Sequence, residues 1–595
     1  MDTDIDSPAV APSIAASVAA TLAASSLVAC GGGGDSSVSG SGFTATASVA
    51  ASPLTDAQAA RFLLHAQFSA SDAEIATVRN IGLTAWLSSQ YAGTPGQTGW
   101  DWLNSRGYDA INYTTRYYDL EYPGDFMVWN QLMTAPDAMR KRMALALSEY
   151  FVVSLTGLNA VWRGHLIAGY WDTLVTHAFG NFRNLLQAVT LSPAMGTYLN
   201  TRGNQKENTY IGRQPDENFA REIMQLMTIG LSKLNLDGSK KLDGNGKNID
   251  TYTQDDVANL ARVFTGYDVD KSEDVVVIEP VQNRSIGNTS YARKPMILDA
   301  SKHSTLEATF LGVTVGANTD GVSALKTALD TLFNHPNVGP FFGRQMIQRL
   351  VTSNPSPAYV ARVAAAFNNN GSGVRGDLRA VWTAILTDVE AQSPNGLVST
   401  SFGKLREPML RFVQWGRTFG ITSAYGSWKI VDQSDPVARL GQNPLRASSV
   451  FNFFRPGYRP QGMTASGAVA PEFQLVNESS VAGYLNMLQA LARWGIYVMA
   501  PEQSSAAANN SATNGFDITA SYTAELAIAH DADALAARLN LLLCAGQLSA
   551  ATQTLIANAL NSVPLTVDSS EFLKRHRIAS SVLLVMASSE YLVQK

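Results

Sequence analysis

"QPDENFAREIMQLMTIG", residues 214–230, crowds Asp216, Glu217, Asn218, Arg221 and Glu222 into its first half and then turns almost wholly apolar. At about 100° per residue, Asn218, Arg221, Glu222 and Gln225 share one narrow stripe, spaced i, i+3, i+4, i+7. Phe219, Ile223 and Leu226 fill one flank, and Ala220, Met224 and Met227 the other. The stretch reads as a helix buried nearly all round except for one polar seam. Asp216 is the expected N-cap and Gly230 the expected C-terminal stop.

Helical patterns dominate the rest of the chain. "TDAQAARFLLHAQFSASDAEIATVRNIGLTAWLSSQYA" from Thr55 holds two of them, capped by Thr55 and by Ser69 or Ser71. "TQDDVANLARVFTGY" opens with Thr253 and Asp256 in capping-box spacing and presents Val257, Leu260, Ala261 and Phe264 on one face. "DVVVIEP", "KPMILDA" and "ATFLGVTV" are short β-type runs. The expected fold is therefore mainly α: a large helical body over residues 55–595 with a small β excursion around residues 268–316. The Tyr- and Trp-rich "GYDAINYTTRYYDLEYPGDFMVWNQL" reads as core and rim packing rather than a sugar-binding surface.

With 46% hydrophobic residues in 595, the chain can bury a large core, and its length alone suggests more than one domain. A formal net charge of -5, without a basic stripe interleaved with aromatics, argues against nucleic acid as a partner. The two cysteines allow neither a disulfide framework nor a cysteine zinc site. Cys544, inside "LNLLLCAGQL", reads as a packed thiol.

Cys30 is different. Residues 1–30 end in "LVAC" after an Ala-rich apolar run, and residues 31–54 form a Gly/Ser/Ala-rich tether, the pattern of a bacterial lipoprotein signal with Cys30 as the acylated residue. The expectation is an exported protein held at a membrane of the cell envelope by a lipid anchor. One feature runs against it: no Lys or Arg precedes Arg61, and Asp2, Asp4 and Asp6 stand where a signal peptide carries positive charge.

Several catalytic templates are absent, among them HExxH, GxSxG and the Walker lysine loop. "GSGVRG", residues 371–376, follows a helical pattern rather than a strand, so it reads as a loop before a helix capped by Asp377. "DGNGKN", residues 243–248, lacks the ligand pattern of a calcium loop and reads as a turn.

Taken together, "AARFLLHAQF", "GLTAWLSSQY", "FGNFRNLLQAVTLSPAMGTYL", "ENFAREIMQLMTIG", "YTQDDVANLARVFTGY", "HPNVGPFFGRQMIQRLVTSNPSP", "GDLRAVWTAIL", "GKLREPMLR" and "SVFNFFRPGY" resemble the exported bacterial proteins grouped as domain of unknown function 1800. The resemblance covers the body from about residue 55 onward and implies a class without a reaction. It also points to a sulfatase-like exported protein as a partner, since relatives are neighbours of one. Two segments depart from the family. Leu147-Ser148-Glu149-Tyr150-Phe151 stands where many relatives carry a His-containing aromatic motif, and Ser304 and Ala308 replace the Asp and Lys that accompany His303 in them.

Two readings of the seam follow. In one, Arg221 and Arg262 supply donor forks to Glu217, Glu222, Asp255 or Asp256 in a buried network that fixes helix register. In the other, Glu222, Asp256 and His303 form a catalytic acid/base or metal site, with a divalent metal as the candidate cofactor, and Asn218, Arg221, Gln225 and Arg262 bind substrate. His65, His165 and His177 lie on apolar helical patterns, and His335 precedes Pro336 in a helix-start loop. The sequence supports a binding or scaffold component of the cell envelope, with a metal-assisted or acid/base hydrolase of an envelope or extracellular substrate as the alternative.

Overall fold

The computed structural model describes residues 53–279, 281–501 and 514–595. The lipidation residue Cys30 and the signal and tether segments lie outside the described residues. Despite its length, Pro53–Lys595 clusters as one unit rather than several.

Its organising element is the 15-residue helix Arg163–His177, whose Leu166, Ile167, Ala168, Tyr170, Trp171, Leu174 and Val175 are buried on all sides. It packs against the helices Gly99–Ser105, Tyr122–Thr134, Ala138–Ser148, Phe182–Thr190 and Pro193–Tyr198 and the turn Ser290–Arg293. Gly169 permits the last contact, because a Cβ there would lie 2.2 Å from the Ala292 carbonyl oxygen. The Tyr- and Trp-rich segment does pack as core, burying Tyr108, Tyr117, Tyr118, Phe126 and Trp129.

Among the described residues strands are short and form sheets of only two or three, so helix carries the architecture. Of the five small sheets among the described residues, three fall in the expected excursion: Tyr267–Asp268 pairs with Ile297–Leu298, Val277–Glu279 with Arg284–Ile286, and Ala308–Phe310 with Val313–Val315. "ATFLGVTV" is thus a hairpin rather than one strand. Its two-residue turn, Leu311 and Gly312, has φ of 50° and 77°, the left-handed pair that matches the twist of tightly joined strands. The excursion does not exhaust the β structure. Ile421–Ser423, Gly515–Ala520 and Ile496–Val498 form a three-stranded sheet, and Val593–Gln594 pairs with Lys404–Leu405. Most of these strands have two or three residues, too few for an alternating pattern to stand out.

The predicted caps hold where side chains were assigned to them. Thr55 with Gln58, Ser71 with Glu74 and Thr253 with Asp256 each close a reciprocal capping box. Asp377 caps Leu378–Leu386, and Asp243 folds "DGNGKN" into a turn by accepting the N–H groups of Asn245 and Lys247. Cys544 is buried, and burial pushes its thiol up to about 12.

Candidate functional site

The opening stretch forms the helix Asn218–Gln225. Asp216 accepts the Asn218 N–H at 2.8 Å, so it performs the capping role from one position beyond Glu217, the backbone N-cap. The helix ends before Gly230, which still closes the turn at φ 68° by donating to the Met224 carbonyl.

The seam itself is not a buried ion-pair network. Asn218 is exposed, Arg221 and Gln225 are half-buried, and only Glu222 turns inward. Arg221 pairs with Glu217 at 3.0 Å, with both side chains more than one-third exposed, and also reaches Gln254 at 2.9 Å. Arg262 meets no carboxylate; it donates to the Asn259 amide and the Glu307 carbonyl. The helical wheel located the stripe, but of its four residues only Glu222 is buried. Solvated pairs contribute little. Arg221→Ala should therefore cost about 0.3–0.5 kcal/mol, a shift of under about 1 °C by calorimetry. A drop of several degrees would restore the buried network.

The three proposed acid, base or metal residues occupy separate settings. Asp256 spends its carboxylate on structure: Oδ2 accepts from the Thr253 N–H and hydroxyl, and Oδ1 accepts the Leu311 N–H at 2.7 Å. Partial burial would raise its pKa, but these hydrogen bonds outweigh burial and hold it below the ordinary carboxylate range. His303 is buried with Nδ1 against the Thr265 carbonyl at 2.9 Å, which makes Nδ1 the donor. Glu222 has an unpartnered Oε2, and burial raises its pKa against the opposing charge of Arg221. Among the described residues no group of three or more His, Cys, Asp and Glu side chains is placed to hold a metal ion.

One seam residue does reach a cavity. Gln225, bonded to the Tyr252 hydroxyl, lines a cavity of about 640 Å³ beside Leu226 and Leu231. The helix Val338–Leu350 contributes Phe341, Arg344, Gln345, Gln348 and Arg349, and residues 450–457 contribute Phe451, Asn452 and Arg455. Glu149 and Tyr150 form the floor, and Lys240 stands at the edge. Three segments that carry the family resemblance thus converge here with Leu147–Phe151, the segment where this chain departs from it.

The cavity's charges are unbalanced. Among the described residues, Lys240, Arg344 and Arg455 have no ion pair and no side-chain hydrogen bond. Arg455 rests over the Phe451 ring at 4.9 Å. Arg344 lies close enough to Arg459 that, after burial, this like charge lowers its pKa further. Glu149 is the single acid in the lining.

Glu149 does not offset these cations, because it belongs to a buried group behind the floor. Arg349 donates to the Glu149 carbonyl at 2.8 Å and lies 3.3 Å from its carboxyl. Lys404, 1% exposed, donates to the Arg349 carbonyl at 2.7 Å and pairs with Glu472 at 3.1 Å and Glu407 at 3.5 Å. Burial, then the charge of Glu407, pushes the Glu149 pKa far up. Burial would also raise Glu407, but Lys404, Arg142 and hydrogen bonds from Gln442 and Glu149 hold it below its ordinary value. The two carboxyls are thus pushed in opposite directions, Glu149 toward its neutral form and Glu407 toward its charged form.

Sequence reasoning named Gln225 but gave no role to Arg344, Arg455 or Glu149. A signal was present: residues 331–376 and 436–471 each hold four arginines and neither Asp nor Glu. In a chain of negative net charge, such stretches leave cations without neighbours along the sequence to neutralise them.

The sequence profile of one family, described as protein of unknown function (DUF1800), matches residues 61–593. No curated protein and no solved structure matches the chain.

Proposed function

Because the chain belongs to the DUF1800 family of proteins of unknown function, whose description carries no reaction, we propose its function from the cavity: it binds a ligand that joins an anionic group to an apolar body. The observation that carries this reading is the set of unpartnered cations Lys240, Arg344 and Arg455 around a cavity walled by Phe341, Phe451, Leu226 and Leu231. All three cations are exposed, and without a counter-ion their positive field draws an anion to the cavity. The volume, about 640 Å³, lies within the range of small-molecule sites. An acid/base hydrolase would need Glu149, the acid in the lining, to face the ligand, but both its carboxyl oxygens are buried, which favours binding over catalysis.

Octyl phosphate and octyl glucoside, which share a tail and differ in charge, test the reading by calorimetric titration. Octyl phosphate should bind at least about tenfold more tightly, with the advantage shrinking as salt is raised. Equal affinities, or binding of neither, would overturn it.

The proposed setting is the cell envelope, with the body held through a lipid on Cys30. "LVAC" followed by a Gly/Ser tether supports this, and envelope lipids and polymers supply ligands of the required class. Cys30→Ser should move the protein from the membrane fraction to the soluble fraction of its native host. Unchanged fractionation would refute the anchor.

A further inference from the structure

Apart from the ligand cavity, a much smaller one lies in the interior where four distant parts of the chain meet. Gln67 and Phe68 follow the first helix, Asp56–Ala66; Arg142 comes from Ala138–Ser148; Arg406 and Gln414 come from the segment around Pro408–Thr418; Gln594 comes from the terminal strand pair. Together they line about 20 Å³, room for one small atom or ion.

Two N–H donors of this lining are buried without a partner, Arg142 Nη1 and Arg406 Nε. One other guanidinium nitrogen of each is committed. Arg142 Nη2 donates to the Arg349 carbonyl at 2.7 Å, and Arg406 Nη1 donates to Gln414 and to the Leu543 carbonyl, both at 2.9 Å. Gln414 also spends its Oε1 on the Tyr591 hydroxyl and its amide on Leu543. Gln67 donates to the Ser69 carbonyl and to Glu74, and Gln594 to the Leu64 carbonyl.

The surrounding field is positive. Arg142, Arg349, Lys404, Arg406 and Arg411 are all buried, against only Glu149, Glu407 and Glu472. His65, fully buried beside them, is kept neutral by burial and then by Arg61, Arg406, Lys404 and Arg142. A water would satisfy donors but leave the surplus charge; an anion answers both.

We propose that this cavity holds one small monovalent anion, chloride in the cell, bridging Arg142 Nη1 and Arg406 Nε. The ion joins the first helix, the Arg406 segment and the terminal strand pair around a charge they all face.

The full chain crystallised from sodium bromide tests this. An anomalous bromine peak should lie between Arg142 and Arg406. With sodium chloride exchanged for sodium gluconate at constant ionic strength, the thermal midpoint should rise by about 1–2 °C per tenfold chloride. Arg142→Gln should abolish that slope; if this variant fails to fold, the bromide map and the wild-type slope decide. Ordinary water density without anomalous signal, together with a midpoint indifferent to chloride, would overturn the proposal.

Discussion

Lys404→Met should lower stability by about 3–5 kcal/mol at pH 8, the expected cost of removing one partner from a buried ion pair. Lys404 is 1% exposed and is the cation shared by Glu407 and Glu472, both essentially without solvent contact. Methionine keeps the length and apolar stem of the side chain, so little cavity forms and the loss measures charge. The variant also predicts a pH dependence. With Lys404 gone, both carboxyls titrate at higher pH than in the wild type, so acid neutralises them and the deficit shrinks from pH 8 toward pH 5. Thermal unfolding at the two values checks this. A deficit under about 1 kcal/mol at pH 8 would show that the group is not held as a buried pair.

Charge reversal of Arg344 and Arg455 to Glu should weaken octyl phosphate binding by at least about 100-fold, since two charge-assisted hydrogen bonds are each replaced by repulsion. Stability should not fall in parallel. Among the described residues neither arginine has an ion pair or side-chain hydrogen bond to lose, Arg455 gives up only its contact with the exposed Phe451 ring, and Arg344 already sits in the field of Arg459. Loss of affinity with an unchanged or raised thermal midpoint therefore separates a binding role from a structural one. Affinity for octyl glucoside should change much less, because its headgroup carries no charge. If both ligands weakened equally, the cavity wall rather than its charge would govern binding.

The fold was legible where local chemistry dictated it. Thr55, Ser71 and Thr253 sit three residues before a side chain able to return the hydrogen bond, and each closes the box its spacing predicts. The excursion was legible because "DVVVIEP" and "ATFLGVTV" cluster β-branched residues. The pairing of Val593–Gln594 with Lys404–Leu405 was not, since two residues carry no period and their partners lie far apart in the chain.

The site was harder to read because polarity along a helix reports which residues share a face, not what covers that face. The stripe Asn218, Arg221, Glu222 and Gln225 stood out for its density of polar groups, yet most of it is solvated and Gln225 alone reaches the cavity. Arg344 and Arg455 stood out less, being single arginines among apolar residues. Their significance is an absence of acid, which shows only when segments near residues 149, 240, 344 and 455 are brought together. The same holds for Glu149: a lone acid after "ALALS" becomes unusual only beside Glu407.

The most direct test of the ligand cavity is a crystal structure of the protein with 8-bromooctyl phosphate. The account predicts phosphate oxygens within hydrogen-bond distance of Arg344 and Arg455, and anomalous bromine signal along the wall formed by Phe341, Phe451 and Leu226. Phosphate held elsewhere on the protein, or no bound molecule at concentrations well above the affinity for a simple anion, would contradict it.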